Sequence, residues 1–244
     1  MDVTATVAGL YRYPVQSVGG ESLPVAHLGA KGITGDRAYG IADLELGCIA
    51  HSSRAKKEYR GLIAWTARYL AKPGDDNDAS PVELDFGDAT IRSDDSAIDR
   101  VISERLGMKA AFVRNDGSRV PLLYERSPCH LLTTATLRRL QQHHATGAFA
   151  PARFRPNVFL DCGETVGFVE QEWMGRDVAL GGATINIDDL CKRCALTTRA
   201  QGALPADPGI LQATTLLNKA IAGVYGAVVR EGKVETGDKV TVTL

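Results

Sequence analysis

"ATINIDDLCKRCALTT", residues 183–198, runs an alternation of apolar and polar side chains into two cysteines, Cys191 and Cys194, set three positions apart. Period-two alternation is the mark of a half-buried β-strand. A thioredoxin-like redox pair belongs at the start of a helix in a βαβ setting, and a strand leads into this one. Structural zinc usually draws four protein ligands from two close pairs. Here no second C-x-x-C exists, Cys48, Cys129 and Cys162 are isolated, and His143 and His144 fall in a helical run. Zinc and a redox pair are therefore the weaker readings. The others are a single soft thiolate on a redox metal, with Lys192 and Arg193 lowering the thiol pKa, and two small buried side chains with no chemistry.

The same strand-like texture extends in both directions. "VTATVAGLYRYPV" (3–15), "NVFLDCG" (157–163), "DVALGG" (177–182) and "GAVVREGKVETGDKVTVTL" (226–244) are short β-rich runs broken by Gly and Pro. "VELDFGDATIRS" (82–93) reads as a hairpin around Gly87-Asp88. "AKPGDDNDASP" (71–81) reads as an exposed loop. Helices are expected in "SDDSAIDRVISERLG" (93–107), closed by Gly107, in "TTATLRRLQQHH" (133–144), and within "DPGILQATTLLNKAIAG" (207–223). The pattern predicts a mainly β (α+β) fold with a few helices at edges and ends, a β-barrel or a mixed α+β architecture. It lacks βαβ alternation, a G-x-G-x-x-G turn and a P-loop, so a dinucleotide or nucleotide fold is not expected.

The 244 residues carry a formal net charge of −1, which offers no global attraction to nucleic acid or anionic lipid. Neither a signal peptide nor a run of about 20 apolar residues is visible, so a cytoplasmic protein without nucleic-acid or membrane partners is expected. Five cysteines make a poor disulfide framework.

Taken in order, "LYRYPVQSVGGESL", "GITGDRAYGIAD", "SPCHLLTTATLRRL", "RFRPNVFLDC", "FVEQEWMGRDVALGGATINI", "KRCALTTRAQGALPADPGIL" and "YGAVVREGKVETGDKVTVTL" span nearly the whole chain. Together they resemble the MOSC family, named for the C-terminal domain of molybdenum cofactor sulfurase, with the β-rich N-terminal domain of its longer members. The resemblance implies an N-terminal β-barrel-like domain over 1–90 and a MOSC domain over 91–244, the first strands packing with the second part. It implies the molybdenum cofactor, a metal on the dithiolene of a phosphate-bearing pterin. In relatives similar to the mitochondrial amidoxime-reducing component, a protein cysteine ligates molybdenum, and the matching residue is Cys194. Cys191 matches a position that is not the ligand.

Other positions follow from the same resemblance. Arg155 and Asn157 of "FRPN" match cofactor-contacting positions, and a guanidinium fork suits phosphate. Pro156 biases Arg155 toward extended backbone. Arg37 of "GDR" is a second cofactor candidate, with Asp36 either orienting it or forming a turn. Gln16 stands where relatives often have Lys, followed by the matching Ser17. Arg54 stands where many bacterial relatives have Lys. Ser127, Thr133 and Thr197 add hydroxyls, although threonines before a helix are also ordinary caps. His130 reads as a core histidine, Trp173 as a core aromatic, and Glu170 or Glu172 as a candidate acid.

The implied activity is a molybdenum-dependent reductase removing oxygen from N-hydroxylated small molecules, supplied with electrons by a separate donor protein. The alternatives are a sulfur carrier with a persulfide on Cys194, or a cofactor-binding module without turnover. After the two threonines the amidoxime-reducing relatives continue with Val-Asp-Pro, whereas this chain has "RAQGALPADPGILQ". The substrate therefore carries over less firmly than the cofactor.

Overall fold

The computed structural model describes residues 5–51, 56–74, 80–120 and 128–243. The chain forms two compact units that interleave in sequence. One comprises residues 1–11, 22–34 and 126–244, the other 12–21 and 35–125.

The first unit is built on a closed barrel. Its strands are Val158–Asp161, Cys129–Thr133, Ile221–Arg230, Ala183–Lys192, Asp177–Leu180, Lys239–Val242 and Ala5–Arg12, the last pairing back onto the first. A ring of seven cannot alternate direction throughout, so one neighbouring pair must be parallel. That pair is Cys129–Thr133 with Val158–Asp161, in register Leu131 to Val158. A parallel pair needs a crossover connection, and residues 134–157 supply it, with helices Thr134–His143 and Pro151–Phe154.

Alternating side chains fill the barrel. Leu10, Leu131, Leu160, Leu180, Ile185, Ile187 and Val224 are fully buried, and Trp173 packs with them. Outside, Leu132, Leu137, Leu140, Phe154 and Ile210 seat the crossover and the helix Gly209–Asn218. The strand Cys129–Thr133 is covered on both faces, so all five of its residues are buried. That explains why even its polar residues, His130 and Thr133, are buried.

The second unit holds two three-stranded sheets. Tyr39–Asp43 lies between Ala110–Arg114 and Cys48–Ile49, and Val82–Asp85 between Thr66–Tyr69 and Thr90–Arg92. Ile41, Tyr59, Leu62, Leu84 and Ile102 form its core. The hairpin around Gly87-Asp88 is present, and helix Ile98–Leu106 stops at Gly107, whose φ of 66° is left-handed. No helix among the described residues is long and apolar enough to cross a membrane.

Candidate functional site

The two cysteines of the opening stretch have opposite fates. Pairing between Ala183–Lys192 and Ile221–Arg230 shifts register three times, the last between Leu190 and Lys192. Such shifts re-aim side chains at a strand end. Cys191 stays fully buried, whereas Cys194 is the exposed cysteine of the five. Cys194 has extended backbone (φ −132°, ψ −178°) and precedes the 3-10 turn Ala195–Thr198. Its carbonyl accepts from the Thr197 N–H at 3.2 Å and the Thr197 hydroxyl at 3.0 Å. An accessible sulfur thus sits on a pinned backbone, and the Thr197 hydroxyl is spent on that pinning.

The crossover supplies the pins. Helix Pro151–Phe154 starts with proline, whose missing N–H costs nothing at that position. Arg153 is fully buried. Its guanidinium donates to the carbonyls of Ala148 (2.8 Å), Thr197 (3.2 Å), Arg199 (3.1 Å) and Pro205 (2.6 Å). Just upstream of Cys194, Arg193 donates through Nη2 to the Phe154 carbonyl at 2.7 Å. Neighbouring residues of one short helix therefore grip the chain on both sides of Cys194.

Arg155 ends that helix in the left-handed region (φ 55°, ψ 50°), its N–H closing onto the Pro151 carbonyl. The extended geometry expected from Pro156 is not adopted. A following proline disfavours the right-handed helical well, and the helix cap selects the left-handed one instead. The Arg155 carbonyl meets His130 Nδ1 at 3.1 Å, so Nδ1 carries the proton. Asn157 is fully buried. Its Oδ1 accepts from the His130 N–H at 3.2 Å and its Nδ2 donates to the Tyr11 carbonyl at 3.3 Å, clamping three barrel strands.

Thr133, expected near the cofactor, is fully buried. Its hydroxyl accepts from the Thr136 N–H (3.1 Å), capping helix Thr134–His143, and donates to Glu170 (2.7 Å). Glu170 also takes the Thr136 hydroxyl at 2.6 Å, and burial pushes its pKa up against these hydrogen bonds. Both groups are committed to the interior.

In the second unit, residues 13–18 zip against 36–39. Tyr13 N–H donates to Asp36 Oδ1 (2.7 Å), Arg37 N–H to the Tyr13 carbonyl (2.7 Å) and Gln16 N–H to the Tyr39 carbonyl (2.8 Å). Asp36 both fixes this turn and pairs with the Arg37 guanidinium. Gln16 and Ser17 are buried. Arg54 and Ser127 lie outside the described residues.

Five non-glycine residues among those described have positive φ: Ser17, Arg37, Arg155, Lys219 and Ala220. Such backbone costs about 1–3 kcal/mol per residue and collects at functional sites. Three of the five are residues that the family resemblance assigns to the cofactor. The fifth, Ala220, accepts the Arg193 N–H at 2.7 Å.

The MOSC domain model matches residues 108–241, and the model of the MOSC N-terminal beta barrel domain matches residues 4–70. The chain belongs to the MOSC domain family. Among solved structures, this MOSC protein is similar to the YUAD protein from Bacillus subtilis, with 15% identity, coverage of 99% of this chain and 97% of that one, and a TM-score of 0.54. That likeness is one of fold. YiiM from Geobacillus stearothermophilus aligns over 55% of this chain and 67% of its own, at 15% identity and a TM-score of 0.37. YiiM from Escherichia coli aligns over 48% and 55%, at 18% identity and a TM-score of 0.36. No curated protein matches.

The donor set of this MOSC domain fits a metal that brings its own ligands. Cys194 offers one soft donor, and no group of three or more His, Cys, Asp or Glu side chains that could hold a metal ion occurs among the described residues. A metal on Cys194 would need its remaining donors from a partner molecule, and a dithiolene provides them. Arg153 was missed as a site residue in the sequence, whereas Arg193 was read there as a charge acting on a neighbouring thiol. The signal available was an arginine placed inside the apolar run "AFAPARF" (148–154).

Proposed function

We propose that this MOSC protein is a molybdenum-cofactor-dependent oxidoreductase that reduces N-hydroxylated small molecules, with Cys194 as the protein ligand to the metal. The observation that carries this reading is the exposure of Cys194 on a backbone held by Arg153, Arg193 and Thr197. When bound, the cofactor supplies two-electron redox chemistry, and the protein supplies binding, orientation and electrostatics. Cys194 holds the metal, and its rigid carbonyl fixes where the sulfur points. Arg155 offers a guanidinium for the pterin phosphate from a backbone conformation that the fold enforces.

In the overall reaction the substrate N–O bond breaks. Two electrons from a separate donor protein and two protons convert the hydroxylated nitrogen to N–H and release the oxygen as water.

The test is elemental analysis of protein made in cells that synthesise the cofactor, paired with reduction of an N-hydroxylated compound by a chemical electron donor. Wild type should carry about one molybdenum per chain and turn the compound over. Cys194→Ala should lose the activity. A cyanide-labile persulfide on Cys194 in molybdenum-free wild type would instead establish sulfur carriage.

A further inference from the structure

Cys191 is left unexplained by this reading. Its sulfur is fully buried and accepts from Arg193 Nη1 at 2.6 Å. A guanidinium is charged at every accessible pH, and one half withdrawn from water, with its Nη1 against a buried sulfur, is stabilised by a counter-charge there. The remaining hydrogen bond from Arg193 goes to a carbonyl, its Nε is buried without a hydrogen-bond partner among the described residues, and the groups acting on it are Cys191, Tyr225 and Cys194. No carboxylate is among them. The sulfur of Cys191 is the counter-charge within reach.

Two more side chains converge on it. His130 comes from strand Cys129–Thr133 and Tyr225 from strand Ile221–Arg230, opposite each other in the sheet, with ring centroids 5.3 Å apart. Since Nδ1 of His130 is bound to the Arg155 carbonyl, Nε2 is the free ring nitrogen. It is buried, lacks a hydrogen-bond partner among the described residues, and belongs to a ring close enough to act on the sulfur.

We propose that Cys191 is held as a thiolate, and that its pair with the half-buried Arg193 is a positioning device that locks the backbone entering Cys194. Arg193 then has one hand on an anion and the other on the Phe154 carbonyl, so the arginyl step before Cys194 has no freedom to swing. His130, held by the Arg155 carbonyl through Nδ1, stands beside the same sulfur. The electrostatics agree with the geometry. Burial by itself pushes the thiol up, but the charge of Arg193 and the nearby His130 and Tyr225 side chains outweigh it and hold Cys191 down at about 6. The functional weight of the device rests on Cys194 being the working residue.

Two measurements on cofactor-free protein test it. The first is the thiolate absorbance near 240 nm, titrated in wild type and in Cys191→Ser. The difference should be one thiolate with a midpoint below pH 7.5, against about 8.5 for an ordinary thiol. A midpoint at or above 7.5 overturns the proposal. Should Cys191→Ser not fold, wild type labelled at cysteine 13Cβ and blocked at its exposed thiols is titrated by NMR. One protected cysteine should ionise below pH 7.5, and its absence is the contrary result.

The second is amide exchange of the Thr197 N–H, which reports the turn on Cys194. Exchange should accelerate at least tenfold in Cys191→Ser or in Arg193→Gln, and unchanged exchange in a folded variant refutes the positioning role. Neither readout needs molybdenum, so this inference and the cofactor reading fail separately.

Discussion

The Arg153 guanidinium donates to the Thr197 carbonyl at 3.2 Å, across 44 positions of sequence and three residues beyond Cys194. With Ala148, Arg199 and Pro205 it completes a set of carbonyl acceptors around one fully buried cation. Removing the donor leaves several carbonyls unsatisfied, and hydrogen bonds to charged groups are worth about 1.5–3 kcal/mol each. Arg153→Met should therefore destabilise the protein by about 3 kcal/mol or more. Arg153→Lys should recover little, because an ammonium lacks the planar fork. Urea unfolding of the three proteins measures this, and a loss below about 1 kcal/mol for Arg153→Met contradicts it.

Gly223 should tolerate no side chain. Its φ is +88°, and a Cβ placed there would meet His130 Nε2 at 2.3 Å and the Leu131 carbonyl at 2.6 Å. The backbone contact cannot relax by a rotamer change. Gly223→Ala should cost roughly 2 kcal/mol or more from left-handed backbone and overpacking together. It should also displace His130, raising the ionisation midpoint of the Cys191 thiol. Thermal unfolding and the 240 nm titration read the two effects. A variant with wild-type stability means that Gly223 is not confined as described.

Part of this arrangement was readable in the residues. The alternation before Cys191 announced a strand, Gly107 announced a helix end, and the ordered motifs announced the family. A barrel was expected, but which strands close it was not readable, because closure depends on Ala5–Arg12 finding Val158–Asp161 far along the chain. Local pattern does not encode that meeting. The Arg155 backbone was misjudged for a related reason: the proline rule is local, and the cap of a four-residue helix overrode it. Arg153 escaped notice because an arginine normally implies surface, and only the fold reveals carbonyls gathered around it. Thr133 and Asn157, read in the motifs as cofactor groups, also carry hydrogen bonds with Thr136, Glu170, His130 and the Tyr11 carbonyl that only the fold reveals.

The left-handed residues offer a contrast between strain that is idle and strain that is used. Lys219 is exposed at the end of helix Gly209–Asn218 with φ 51°. Lys219→Gly should stabilise the protein by about 1 kcal/mol, since glycine pays no left-handed penalty, and should leave molybdenum content unchanged. Arg155→Gly relieves the same kind of strain but removes the guanidinium. It should reduce the molybdenum retained per chain at least fivefold. Retention at wild-type level in Arg155→Gly would remove Arg155 from the cofactor site.

The acid limb of the stability curve should be governed in part by Asp43 in the second unit. Its carboxylate is fully buried. Burial raises its pKa, but the Lys56 ammonium, the Tyr59 hydroxyl (2.7 Å) and the N–H groups of Leu46 and Glu45 (both 2.9 Å) outweigh that and lower it to about 2. A carboxylate with a folded pKa below its unfolded value, about 3.9, stabilises the fold fully above the unfolded value. That contribution fades as pH falls through the folded one. The two values differ by about two units, which corresponds to roughly 2 kcal/mol lost between about pH 5 and pH 2. Asp43→Asn should be less stable than wild type at pH 7, because a neutral amide cannot answer Lys56. The gap should narrow by about 2 kcal/mol on acidification to pH 2. Urea midpoints at pH 7, 4 and 2 give the comparison, and a gap that stays constant across them would show that Asp43 does not titrate in this window.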